Sequence, residues 1–146
     1  MKKHERHRML LNAAMKLKEF YIFDSTPGDT TYYENFTLDR VSLQTGSYHF
    51  DDESGNIILP PNSAIAFYLR AEERLKYSKI KLMLSGDNGG NLFYFNQVSA
   101  FGESQYIEDS TSAQEYVFEI NTNAPNFVDI ESSLSGTVSI TSIILE

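Results

Sequence analysis

Two stretches with different hydrophobic rhythm organise the middle of the chain. Residues 64–69 (Ala-Ile-Ala-Phe-Tyr-Leu) are apolar without a break, whereas residues 79–84 (Lys-Ile-Lys-Leu-Met-Leu) alternate and put Ile80, Leu82 and Leu84 on one face. The unbroken run predicts a strand covered on both faces, and the alternating one predicts a half-wetted neighbour folded back against it. Between them, residues 70–77 carry Arg70, Glu72, Glu73, Arg74 and Lys76 and predict a long solvated connection.

The same rhythm of short strands and turn residues extends over most of the chain. Tyr32, Tyr33, Phe36 and Leu38 predict a strand, and the slip of apolar phase at Asp39 and Arg40 before Val41 and Leu43 predicts a bulge. Residues 48–50 and 56–59 follow as strands, closed by Pro60 and Pro61. Residues 86–90 (Gly-Asp-Asn-Gly-Gly) have the composition of a hairpin turn leading into a strand over residues 91–96. The polar stretch 102–114 predicts an exposed loop, and residues 116–120, 127–130 and 137–145 predict three closing strands. Short strands at this spacing predict an all-β fold, an antiparallel jelly-roll β-sandwich of about eight strands.

One stretch has helical rather than strand periodicity. From Glu5 to Phe20, the residues Leu10, Ala13 or Ala14, Leu17 and Phe20 or Tyr21 recur at steps of three and four, with Arg6, Lys16, Lys18 and Glu19 on other faces. This predicts an N-terminal amphipathic α-helix within a leader of residues 1–23, a turn-rich linker over residues 24–29, and a sandwich domain over residues 30–146. An isolated helix of this length is marginal in water, so it needs a surface to pack on. Leu10, Ala14, Leu17 and Phe20 form the candidate docking stripe, for the chain's own sandwich or for another subunit of a homo-oligomer or larger assembly.

Composition narrows the function classes. The 146 residues contain no cysteine, so disulfides and thiolate metal sites play no part. The net charge of −8 is uneven: residues 1–19 hold six Lys or Arg against Glu5 and Glu19, which is +4 and leaves −12 for the rest. An acidic body disfavours nucleic acid as a partner, because that binding draws on counterion release by Lys and Arg. Residues 9–15 are too short an apolar stretch, and too closely flanked by charge, for a signal peptide or a membrane span. The expectation is a protein made in the cytoplasm, of open final location, with a virion among the candidates.

The ending Ser135-Gly136-Thr137-Val138-Ser139-Ile140-Thr141-Ser142-Ile143-Ile144-Leu145-Glu146 resembles the closing strand of jelly-roll carbohydrate-binding modules and galactose-binding-like domains. The resemblance implies the sandwich fold and, as ligand class, a glycan. It departs at Thr141 and Ser142, where those families often carry an acidic residue, and in the absence of tryptophan.

Sugars are held by aromatic faces flanked by carboxylates and amides. On that chemistry the candidate ligand residues are Tyr94, Tyr48 and Tyr106, with Asp87, Asn88 and Asn91; Tyr94 is expected to face outward, with Phe93 and Phe95 inward. The loop 51–56 clusters hard oxygens suited to calcium but lacks the ligand spacing of a calcium loop, so no cofactor is expected. His4 and His7 have no third ligand nearby, and no metal site is assigned. His49, the one histidine after residue 7, has no glycine-flanked serine to serve, so the chain reads as non-enzymatic. Two functions follow: a glycan-binding module held on a larger assembly by its helix, or a structural subunit of a capsid, head decoration or tail.

Overall fold

The computed structural model describes residues 19–37, 40–95 and 102–146. Alternation of apolar and polar residues produces eleven strands in two antiparallel sheets. The strands are β1 Phe20–Asp24, β2 Val41–Thr45, β3 His49–Phe50, β4 Ile57–Leu59, β5 Ala64–Tyr68, β6 Lys79–Asp87, β7 Gly90–Phe95, β8 Glu103–Tyr106, β9 Gln114–Glu119, β10 Phe127–Ser132 and β11 Thr137–Leu145. Two short helices are added: α1 Thr30–Thr37 and α2 Ala71–Lys76. One sheet has the order β3-β4-β11-β6-β9, with β1 also paired to β11; the other has the order β2-β5-β10-β7-β8.

The core lies between the sheets and is filled by the inward half of each strand. Ile80, Leu82 and Leu84 of β6, Val138, Ile140 and Ile143 of β11 and Phe118 of β9 meet Ile65 and Phe67 of β5, Leu92 of β7, and Val128 and Ile130 of β10, all buried. One end of this core is aromatic. Phe23 packs against Tyr33, Phe36 and Phe50 with ring centroids 5.9–6.1 Å apart, and Phe36 continues the cluster to Phe67.

Several expectations are corrected here. Phe20 does not end a helix but opens β1, pairing with Leu145 of β11, so the sandwich begins before the boundary expected at residue 23. Leu10, Ala14 and Leu17 lie outside the described residues. Tyr32, Tyr33 and Phe36 sit on helix α1, not on a strand; Asp29 Oδ1 accepts the Thr31 backbone N–H at 3.0 Å and starts the helix, and the three-residue step from Tyr33 to Phe36 turns both rings onto the core. β2 carries a register shift between Leu43 and Thr45, and Asp39, where the slip was expected, lies outside the described residues.

The central pair is not a hairpin either. β5 and β6 belong to different sheets, and the charged connection between them is α2, whose Glu73 is buried. Glu73 accepts from Arg40 Nη1 at 2.9 Å and Nη2 at 2.7 Å, and its Oε1 also accepts the Arg70 backbone N–H at 2.8 Å. Arg40 donates further to the carbonyls of Asn35 and Tyr68. This fully bonded pair clamps α1, β5 and α2 together, the arrangement in which a buried charge is tolerated. The glycine-rich turn after β6 likewise crosses between sheets, since β7 lies opposite β6.

Candidate functional site

The five-stranded sheet turns one face to the core and the other outward, and its register fixes which residues share the outer face. On β7 the burial alternates so that Leu92 and Tyr94 point inward while Asn91, Phe93 and Phe95 point outward. The pairings Asp129 with Ala66 and Phe93, Glu131 with Ala64 and Asn91, and Phe127 with Tyr68 and Phe95 align three rows across β5, β10 and β7. The pairing of β7 with β8 extends two of them, by Tyr106 beside Asn91 and Ser104 beside Phe93. Ser42 of β2 adds a hydroxyl beside Ala66.

One end of the face is an aromatic row, Tyr68–Phe127–Phe95, with Tyr68 and Phe127 centroids 6.5 Å apart. Phe93 lies 6.5 Å from Phe95. A shallow pocket of about 80 Å³ lined by Thr45, Asn62, Ser63, Ala64, Glu131 and Ser132 lies at the other end. Phe127 and Tyr106 are 46% and 59% exposed, which is unusual for large rings and leaves their faces available for contact.

At the centre stand Asp129 and Glu131, two residues apart and on the same side of β10. Burial, then repulsion by Glu131 and a hydrogen bond that favours the protonated form, push the Asp129 carboxyl up to about 6. Its Oδ1 is buried without a hydrogen-bond partner. A half-buried carboxylate in this state is destabilising for the fold alone, and such groups concentrate where a ligand is bound.

The expected ligand residues divide. Tyr106 and Asn91 are brought together as cross-strand partners on the outer face, and the Tyr106 hydroxyl lies over Gly89, where a Cβ would come within 2.7 Å of it. Asp87 and Asn88 lie in the adjoining turn: Asn88 Nδ2 donates to Ser135 Oγ at 2.5 Å, and Asp87 lines a shallow pocket of about 700 Å³ with Gly86, Asp109, Ser110 and Thr111. Tyr48 is instead part-buried at the aromatic end of the core, edge-on to Phe36 at 6.4 Å.

Tyr94 is corrected. Its ring is fully buried, 5.1 Å from Phe118, and its hydroxyl donates to Asn126 Oδ1 and accepts the Asn121 N–H at 3.2 Å. Burial raises its pKa to about 12. Phe93 and Phe95, expected inward, face outward, because β7 enters the sheet one residue out of the assumed phase.

Sequence reasoning missed Tyr68, Phe127, Asp129 and Glu131. The signal was present in residues 128–131, where Asp129 and Glu131 alternate with the β-branched Val128 and Ile130. In the loop 51–56, Asp51 Oδ2 accepts from the Ser54 N–H at 2.8 Å and the Ser54 hydroxyl at 2.7 Å, which lowers the Asp51 pKa and holds the turn. No group of three acidic or imidazole side chains is placed to hold a metal among the described residues, and no helix there is long and apolar enough to cross a membrane.

No family model matches the chain, and none of the curated proteins matches its sequence. Solved structures do. A point variant of the module CBM29-2 superposes with a TM-score of 0.56 at 11% identity, covering 88% of this chain and 91% of that one. The chain has the jelly-roll fold of the family 29 carbohydrate-binding modules. CBM29_1 from Piromyces equi gives the same TM-score of 0.56 at 11% identity over 87% of this chain and 88% of its own. Another CBM29-2 variant, solved in complex with mannohexaose, matches at 0.56 and 12% identity, over 87% and 89% of the two chains. A family two carbohydrate esterase from Cellvibrio japonicus matches at 0.54 and 14% identity, but only 33% of its length is covered. At these identities the likeness to the family 29 modules is one of fold.

Proposed function

We propose that the chain is a non-catalytic glycan-binding module whose ligand lies across the outer face of the five-stranded sheet. The observation that carries this reading is the arrangement of that face: Tyr68, Phe127, Phe95, Phe93 and Tyr106 surround Asp129, Glu131 and Asn91 on adjacent in-register strands. Aromatic faces take the C–H surface of pyranose rings, and acidic and amide side chains between them take hydroxyls. The fold shared with carbohydrate-binding modules, one of them complexed with mannohexaose, adds weight to the choice of ligand class. Binding rather than catalysis suits a carboxylate pair on one open strand face, since glycoside cleavage needs two carboxylates flanking the bond from opposite sides.

Calorimetric titration with mannohexaose and other neutral oligosaccharides tests the reading. Phe127→Ala and Tyr68→Ala should each weaken binding by about tenfold, the order expected for one lost ring contact. Saturating concentrations of every oligosaccharide without heat, or alanine variants that bind as well as the parent, overturn it.

Attachment to a larger assembly through the basic stretch before Glu19 is a separate part of the proposal. Light scattering of a chain lacking residues 1–18, which keeps β1 whole, tests it. An unchanged mass at all concentrations removes that part.

A further inference from the structure

The outer face of the five-stranded sheet carries carboxylates at its centre and no cation on its strands. Among the described residues, every side chain that the register turns outward on β2, β5, β10, β7 and β8 is aromatic, small, hydroxyl-bearing, amide or acidic. The nearby Arg40 guanidinium is buried and committed to Glu73, so it cannot serve as a counterion for Asp129 and Glu131. Two adjacent carboxylates without a cation on the face leave negative charge that an ammonium on the ligand offsets and a hydroxyl does not.

We propose that this face takes a glycan bearing free amino groups, a deacetylated hexosamine polymer of the chitosan type, with a sugar ammonium seated between Asp129 and Glu131. This rests on the glycan-binding reading above and narrows its ligand class. An ammonium has three donors and no acceptor, which matches the acceptor oxygens that two ionised, part-exposed carboxylates present. The adjacent rings of Phe93 and Phe127 receive the sugar face, and an amine lying over them gains a cation–π contact. Acetylation of the amine removes both the charge and two of the donors. Uronic acid or sulfated polymers meet like charge on a body that is already strongly acidic.

The test compares three oligosaccharides of equal length, fully deacetylated chitosan, its fully N-acetylated counterpart and mannohexaose, by calorimetric titration at neutral pH in low and high salt. The deacetylated oligomer should bind at least about tenfold tighter than the acetylated one, with the advantage shrinking in high salt. Asp129→Asn and Glu131→Gln should abolish that advantage, bringing the two hexosamine oligomers to equal affinity, and circular dichroism of both isosteric variants verifies that they fold. Equal binding of the two hexosamine oligomers, or an advantage that survives both variants, overturns the inference. If mannohexaose binds in that outcome, the glycan-binding reading stands; if none of the three sugars binds, both fall.

Discussion

Asp129 and Tyr94 show how one residue of phase decides role. Asp129 faces outward beside rings, and burial pushes its pKa up to about 6. Between the ordinary carboxylate range and that value the unfolded chain is ionised where the folded one is not, so this group's contribution to stability declines as pH rises through the window and is gone above it. Asp129→Asn should therefore stabilise the protein at neutral pH by about 1 kcal/mol, a figure discounted for partial exposure, and lose the advantage in acid. Urea unfolding at both pH values checks this. Tyr94 lies on the opposite face, and its raised pKa makes the folded state resist ionisation. Stability should fall as pH rises above the ordinary tyrosine value, by on the order of 2 kcal/mol at pH 12, and Tyr94→Phe should flatten that alkaline limb while costing about 1 kcal/mol at neutrality for its lost hydrogen bonds to the loop before β10. The residue types of the candidate site were legible in the sequence, and Tyr106 and Asn91, named from type and turn context, stand as cross-strand partners on the outer face. The facing of Tyr94, Phe93 and Phe95 was not, because residues 92–95 are all large and apolar and alternation carries no phase there.

At the scale of the elements, the strands with clear alternation, β6, β9, β10 and β11, were readable, and the two helices were not. In residues 30–37 aromatic β-propensity outweighs a single helical step, and only Asp29 ahead of Thr30 marks the start. In residues 71–76 the density of charge suggests solvent, whereas Glu73 is buried against a cation thirty-three residues earlier in the chain, a long-range pairing that no local pattern encodes. Removing one partner leaves the other charge buried and alone. Glu73→Ala should cost about 3–5 kcal/mol, and the double replacement Arg40→Met with Glu73→Leu should recover most of it, as measured by guanidinium unfolding. Failure of the apolar pair to recover stability means that the carbonyls of Asn35 and Tyr68 depend on the guanidinium as much as Glu73 does.

For the molecule as a whole, an acidic two-sheet body was readable from strand spacing and charge, while the assignment of strands to sheets was not. Neighbouring strands in the sequence, such as β5 and β6 or β6 and β7, were expected to pair and instead face each other across the core. That exchange of sheets places β10 at the middle of the five-stranded sheet, with the aromatic and acidic outer face centred on it. The most connected strand is β11, which pairs with β1, β4 and β6. Its register lays Phe20 against Leu145, so the polypeptide returns to the place from which the sheet began. Residues 20–146 are thus suited to circular permutation: a short linker from Glu146 to Phe20, with new ends opened in the exposed loop at Thr111 and Ser112, should preserve both sheets and the outer aromatic face, because no ladder pairing is cut.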